Sequence, residues 1–141
     1  PVLGGWTAAT GSVDPGGWAL FGVLLCWQMP HFYSLAWMYK KDYEKGGFVM
    51  LTVTDPDGAS TAFQMVAYSI GMVVFSVLPV FLGLSSWIYL VGALLLGGWF
   101  MVPVLKFFLS RSVLHAREVL KASVMYIPLL LLAIIVDRLL A

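Results

Sequence analysis

The sequence predicts an all-α membrane protein, a polytopic bundle of about four transmembrane helices. Of its 141 residues, 61% are hydrophobic and only 11% are charged, and a soluble domain of this length could not bury so much apolar surface. Several apolar runs approach the roughly 20 residues that a helix needs to cross about 30 Å of hydrocarbon. Strands with open edges are excluded because lipid offers their backbone groups no hydrogen-bond partner.

Four apolar runs give the predicted spans, at residues 18–39, 61–83, 87–109 and 119–138. Residues 1–17, rich in glycine, are typical of the end of a preceding helix followed by an outer loop. We expect the chain to be a truncated part of a longer protein, forming one membrane domain over residues 1–141.

The basic residues indicate the orientation of the bundle. If the spans alternate in direction, seven of the eight Lys and Arg residues fall on one side. Positive residues collect in short cytoplasmic loops, so we expect the polar loop at residues 40–60 to be cytoplasmic. Arg111 and His115, after the third span, then belong to a solvated helix face on the same side. Asp137 and Arg138 are expected near the outer surface.

Composition also excludes several classes of function. Cys26 is the single cysteine, so neither a disulfide framework nor a thiolate metal site can form within the chain. There is no P-loop, dinucleotide fingerprint or nucleic-acid-binding motif, and we expect no nucleic-acid partner.

The first span carries a polar residue that is costly in lipid. His31 follows Pro30, which removes a helix hydrogen bond and predicts a kink. On a regular helix, His31 and Asp42 are separated by three turns plus roughly 20°, with a rise of about 16 Å, and therefore share a face. Such a face could line a cavity for an amphiphile with a charged head. Alternatively, Gln28 satisfies His31 and the pair is structural; the sequence leaves both interpretations open.

A charged cluster follows that span and also has two interpretations. On its own it is more typical of a solvated helix end, but carboxylates are ligands for Mg²⁺ that also binds phosphate, and lysines neutralise the same phosphates. Its members are Lys40, Lys41, Asp42, Glu44 and Lys45. The later run Asp55-Pro56-Asp57-Gly58 predicts a turn rather than a second metal site.

Four segments of the chain stand out as motifs: PVLGGWTAATG at 1–11, WQMPHF at 27–32, YKKDYEKGG at 39–47 and AREVLKASVMYIPLLLLAIIVDR at 116–138. In order and spacing they resemble the haem O synthase, or protoheme IX farnesyltransferase, group of the UbiA-type intramembrane prenyltransferases. Members of this family form about nine helices around a central cavity. The resemblance therefore implies the C-terminal half of such a fold, with its last four helices and the tail of a fifth.

The resemblance implies an activity: transfer of a farnesyl group from farnesyl diphosphate to a vinyl group of haem B, giving haem O, with Mg²⁺ assisting diphosphate departure. Implied partners are haem B, farnesyl diphosphate, membrane lipid and other haem A synthesis or terminal oxidase assembly proteins. The implied location is the bacterial cytoplasmic membrane, or the mitochondrial inner membrane in a eukaryote.

The same resemblance implies roles for individual residues. Asp42 would bind metal and diphosphate, and His31 would contact haem or substrate deeper in the cavity, so these two are the candidate catalytic residues. Glu44 would be a second metal ligand. The remaining candidate substrate-binding residues are Gln28, Lys40, Lys41 and Tyr43.

Two departures from the family pattern bear on these roles. The family's first acidic block has no counterpart in these residues, so we expect the chain alone to be inactive. The family loop close to GIPMLPVV also loses two prolines after Gly47. The alternative functions are a haem-handling or transporter subunit in which His31 binds the cargo, and a helical assembly subunit with no site of its own.

Overall fold

The computed structural model describes residues 1–140, and within this range the chain forms seven helices and no strands. The helices are α1 (Val2–Thr10), α2 (Pro15–Met38), α3 (Lys40–Lys45), α4 (Leu51–Thr54), α5 (Ala59–Phe81), α6 (Trp87–Ser110) and α7 (Val113–Leu140). The predicted all-α class is confirmed. The loop expected at residues 40–60 contains two short helices, α3 and α4.

The four long helices form a closed bundle. α2 packs against α5 and α7, and α6 packs against the same two helices, so α2 and α6 occupy opposite corners. Close approach of α6 to α5 depends on Gly97, where an added Cβ would lie 2.7 Å from Val73 Cγ2. Large side chains fill the centre of the bundle, among them Met65, Met72, Tyr89, Phe100, Phe107 and Tyr126.

Three helices, α5, α6 and α7, are long and apolar enough to cross a membrane. Their outward faces carry exposed apolar side chains such as Leu95, at 70% exposure, which suits contact with lipid. α2 has 24 residues and sufficient length, but Gln28, His31 and several Trp and Tyr side chains make it less apolar. Three of the four predicted spans therefore correspond to helices that are long and apolar enough to cross a membrane. The fourth, in α2, stays a prediction.

The end of α2 changes the expected relation between His31 and Asp42. α2 ends at Met38, Tyr39 has non-helical dihedral angles (φ −105°, ψ 21°), and α3 begins at Lys40. The shared face required one regular helix through Asp42, and that helix is interrupted. His31 and Asp42 consequently belong to two separate parts of the site.

The turn predicted at Asp55–Gly58 is confirmed. The Gly58 N–H donates to the Asp55 carbonyl at 3.2 Å, and Gly58 adopts a positive φ of 74° that glycine tolerates readily. Asp55 is buried, and its carboxylate accepts the Thr61 N–H at 2.7 Å. This carboxylate therefore caps the start of α5, where helix N–H groups lack partners within the helix.

Asp137 lies beside Ser86 in the turn before α6, and its expected place near the outer face of the membrane stays a prediction. It is 1% exposed, and its carboxylate accepts hydrogen bonds from the Ser86 N–H at 2.9 Å, the Ser86 hydroxyl and the Tyr89 N–H at 3.2 Å. These donors begin α6, whose unpaired N–H groups need acceptors inside a membrane. Asp137 thus ties the end of α7 to the start of α6.

Candidate active site

A cavity of ≈ 530 Å³ opens at the end of the bundle where α2 stops and α7 begins. We call it the basic cavity, because four cationic side chains and one carboxylate line it. Its lining residues are Trp37, Met38, Tyr39, Lys40, Lys41, Asp42, Lys45, Arg111 and Val113. One wall is therefore apolar or aromatic and the other is strongly positive, which suits an anionic head attached to an apolar body.

Lys40 is held in place by the wall of the cavity. Its Nζ donates to the carbonyls of Asp55 and Pro56, both at 3.3 Å, and lies 4.7 Å from the centre of the Trp37 ring. Two of its three donors are thus used within the protein, and the ring face stabilises the charge. Lys40 accordingly fastens the Asp55–Gly58 turn to the end of α2.

Arg111 is the cavity residue that sequence reasoning missed, because it was assigned to a solvated helix face. It ends α6 with a left-handed φ of 52°. Its carbonyl accepts the Trp37 indole N–H at 3.1 Å, and its Nη1 donates to the Asp57 carbonyl at 3.3 Å. Its Nε is buried and has no hydrogen-bond partner in residues 1–140. Arg111 therefore joins three segments and retains an unused donor beside the cavity.

Asp42, Lys41 and Lys45 form the exposed rim of the basic cavity. Within the described residues, none of their side chains makes a hydrogen bond or an ion pair. Two predicted site residues lie outside the lining: Glu44 is exposed, and Tyr43 packs edge-on against Phe48 at 6.1 Å between ring centres. The structure thus brings Asp42 together with Lys40, Lys41 and Lys45, as the charged cluster suggested, and adds Arg111.

His31 occupies a different position, between α2 and α7. Its ring stacks on Trp27 with 4.9 Å between centres, and its Nδ1 lies 2.8 Å from the Ser123 hydroxyl. Trp27 also donates from its indole N–H to the Ser123 carbonyl at 2.7 Å. Gln28 is exposed and makes no hydrogen bond to His31, so the pairing offered as the structural alternative is wrong. A partner on the neighbouring helix satisfies the imidazole instead.

The Ser123 hydroxyl lies between two polar partners, the Leu120 carbonyl at 2.7 Å and Nδ1 of His31 at 2.8 Å. Its single hydrogen can go to either of them. When the carbonyl accepts it, Nδ1 of a neutral His31 carries the ring proton and Nε2 has a lone pair. That nitrogen can serve as a ligand or as a proton acceptor.

Comparison with known proteins identifies the family. The sequence pattern of the UbiA prenyltransferase family matches residues 1–134. The chain belongs to the UbiA prenyltransferase family. It is 53% identical to a protein named protoheme IX farnesyltransferase from Salinibacter ruber, over 97% of this chain and 48% of the relative.

Further relatives carry the same name. The Solibacter usitatus protein is 49% identical over 98% of this chain and 47% of its own length, and the Opitutus terrae protein is 42% identical over 99% and 48%. The chain thus spans about half the length of these relatives. No solved structure matches it.

UbiA prenyltransferase membership directs attention to Mg²⁺, and the basic cavity fits that ion in one respect. Asp42 offers one carboxylate beside cations that suit phosphate, and Mg²⁺ commonly takes one or two carboxylates with phosphate oxygens and water. Residues 1–140 contain no group of three His, Cys, Asp or Glu side chains placed to hold a metal. Asp42 therefore fits as a single ligand, whereas Glu44 lies outside the cavity.

Proposed function

We propose that this chain is part of a prenyltransferase that transfers the farnesyl group of farnesyl diphosphate to a vinyl group of haem B, giving haem O. The supporting observation is the basic cavity, in which four cations surround one carboxylate beside an apolar wall. The names of the relatives support the choice of substrates. In this reaction a bond forms between C1 of the farnesyl group and the vinyl carbon, diphosphate leaves, and water completes the hydroxyethyl product.

Diphosphate is the part of the substrate that the basic cavity would bind. Lys41 and Lys45 have no competing partner within the described residues, and the Arg111 side chain lines the same cavity. Hydrogen bonds from cations to phosphate are stronger than neutral ones. Negative charge grows on the leaving diphosphate as the C–O bond breaks, so fixed cations lower the barrier most at that moment. Lys40 acts by holding the cavity wall.

Asp42 would hold Mg²⁺ against the diphosphate, and the bound ion would supply further neutralisation of the leaving group. His31 would serve the haem side of the reaction, through the lone pair on Nε2. The supporting observation is the Ser123 hydroxyl, which contacts both Nδ1 of His31 and the Leu120 carbonyl and so can accept a hydrogen bond from Nδ1. We propose that the reaction takes place in the bacterial cytoplasmic membrane, and the three helices apolar enough to cross a membrane support a membrane location.

The test is mass spectrometry of haem extracted after incubating the full-length protein in membranes with haem B, farnesyl diphosphate and Mg²⁺. We expect a farnesyl-sized mass gain from the wild type. Asp42→Asn should reduce turnover by about 100-fold or more, the scale on which loss of transition-state charge stabilisation acts. Glu44→Gln is the matched control, because Glu44 lies in α3 but outside the cavity, and it should retain turnover.

The alternative haem-carrier function makes different predictions for the same membranes. A carrier would leave haem unmodified in the wild type and would lose haem binding when His31 becomes Ala. An equal loss of turnover in Asp42→Asn and Glu44→Gln would contradict the assignment of the cavity. Unmodified haem from well-folded wild-type protein would refute farnesyl transfer.

A further inference from the structure

A groove runs along the seam between α6 and α7, away from the residues that line the basic cavity. Its larger part is a cavity of ≈ 460 Å³ walled by apolar side chains of both helices. A second cavity of ≈ 310 Å³ continues it, since Trp99 lines both. Gly92 and Ala133 adjoin in the wall of the larger cavity, where an added Cβ at Gly92 would lie 3.7 Å from the Ala133 methyl carbon. The two cavities therefore adjoin at Trp99 along the same seam between α6 and α7.

The chemistry of the groove changes at one end. The second cavity has apolar walls near Trp99, formed in part by Val102 and Met125, and ends at Lys106, Glu118 and Lys121. Lys106 Nζ lies 3.5 Å from Glu118 Oε2, with the two side chains 51% and 38% exposed. This exposed pair offsets one positive charge, and Lys121 leaves the end of the groove net positive. Apolar walls leading to a positive end complement an amphiphile with an anionic head.

The spacing of these residues matches the depth of a membrane leaflet. Trp99 and Lys106 are seven residues apart on α6, which is about 10 Å along the helix. A leaflet contributes about half of the roughly 30 Å hydrocarbon thickness. A headgroup at Lys106 and Lys121 would thus place its acyl chain beside Trp99, within one leaflet, and the exposed side chain of Leu95 would lie near the bilayer midplane.

We propose that the groove between α6 and α7 binds an anionic phospholipid, with the phosphate at Lys106 and Lys121 and an acyl chain past Trp99. Juxtamembrane lysines attract anionic headgroups because each contributes a favourable interaction near the surface. A phosphatidylcholine headgroup carries no net charge and gains much less. This site shares no lining residue with the basic cavity, so the inference does not depend on the proposed prenyl transfer.

The test is native mass spectrometry of the full-length protein after equilibration with equal amounts of phosphatidylglycerol and phosphatidylcholine. We expect preferential retention of phosphatidylglycerol. The double variant Lys106→Gln with Lys121→Gln should reduce that retention by about five- to tenfold. Arg117→Gln is the matched control: Arg117 is exposed on the same part of α7 but lies outside the groove, and its loss should leave retention unchanged.

Three results would overturn the proposal. Equal retention of the two lipids would remove the charge preference, and an equal loss in the double variant and in Arg117→Gln would make the effect nonspecific. Absence of retained lipid, together with protection of the groove by another protein segment or a second copy in crosslinking, would assign the groove to a protein partner. Tryptophan fluorescence gives an independent test of the lipid's position. If brominated phosphatidylglycerol quenches a smaller fraction of the fluorescence in Trp99→Phe than in wild type, the lipid lies beside Trp99.

Discussion

The two ends of the helix bundle each carry an aspartate, and the two carboxylates differ in burial and in hydrogen bonding. At the end where α6 begins, Asp137 is buried and accepts three hydrogen bonds from Ser86 and Tyr89. At the other end, Asp42 is exposed and accepts none within the described residues, although four cations line the same cavity. Both groups are Asp side chains close to helix ends, so residue type alone does not distinguish their roles.

The difference follows from what each environment demands. Donors buried in a membrane bundle must find partners inside it, because lipid supplies none, and Asp137 meets that demand completely. Polar groups left without protein partners beside a cavity can bind a ligand without first breaking internal bonds. A carboxylate whose hydrogen bonds are all made within the protein therefore stabilises the fold. A carboxylate without such bonds, next to cations, is a candidate for ligand binding. Variants at each end should separate stability from activity.

Substitution of Arg111 should produce the largest effect after that of Asp42, and it should fall on substrate binding. Arg111→Asn removes the guanidinium but suits the left-handed φ of 52°, so the backbone strain falls. We expect KM for farnesyl diphosphate to rise about tenfold or more, the scale of a lost hydrogen bond from a charged group. Steady-state kinetics and inhibition by inorganic diphosphate would measure this change.

The control for Arg111 is Arg117→Asn, which removes an exposed arginine outside the cavity. It should leave KM unchanged. The melting temperature of Arg111→Asn should stay near that of wild type, because relief of strain offsets loss of the bond to the Asp57 carbonyl. A large fall in melting temperature with unchanged KM would instead make Arg111 a structural residue.

The sequence was sufficient to predict the fold class because apolar runs and helix length are local properties. It also identified the cluster around Asp42, since those residues are neighbours in the chain. Arg111 is 66 positions beyond Lys45 and joins them only through helix packing, so no local pattern could reveal it. The one available signal was a cation directly after a span, which is equally typical of membrane topology.

His31 illustrates a second limit of sequence reasoning. Gln28 was a reasonable partner because residues three apart adjoin on a helix. The actual partner, Ser123, lies 92 positions away on α7 and becomes a neighbour only when α7 packs against α2. Likewise, the hydrogen bonds of Asp137 to Ser86 and Tyr89 join residues about 50 positions apart, so no local pattern predicted them. The contacts of Arg111, His31 and Asp137 thus all join residues that are far apart in the sequence.

Substitution of Asp137 should affect stability without affecting chemistry. Asp137→Ala leaves the Ser86 and Tyr89 N–H groups without their acceptor, and buried unsatisfied donors are costly. We expect the melting temperature to fall by several degrees, less in Asp137→Asn because its carbonyl can still accept. Turnover per folded molecule should match wild type. The exposed neighbour Arg138, changed to Gln, is the control, and an equal fall there would remove the capping role.

The smallest expected effect concerns Asp55 and depends on pH. Desolvation raises the pKa of this carboxyl, but hydrogen bonding, led by the Thr61 backbone N–H, outweighs it and holds the pKa below its ordinary value. The carboxylate's stabilisation is then present above the unfolded pKa of about 4 and is lost as pH falls through the lower folded value. Melting temperature should thus drop on acidification below about pH 4, and Asp55→Asn should start lower at neutral pH and drop less. Glu44→Gln, which changes an exposed carboxylate of α3 that makes no side-chain hydrogen bond within residues 1–140, should retain the wild-type pH profile. An identical profile in the Asp55→Asn variant would show that this cap does not couple protonation to folding.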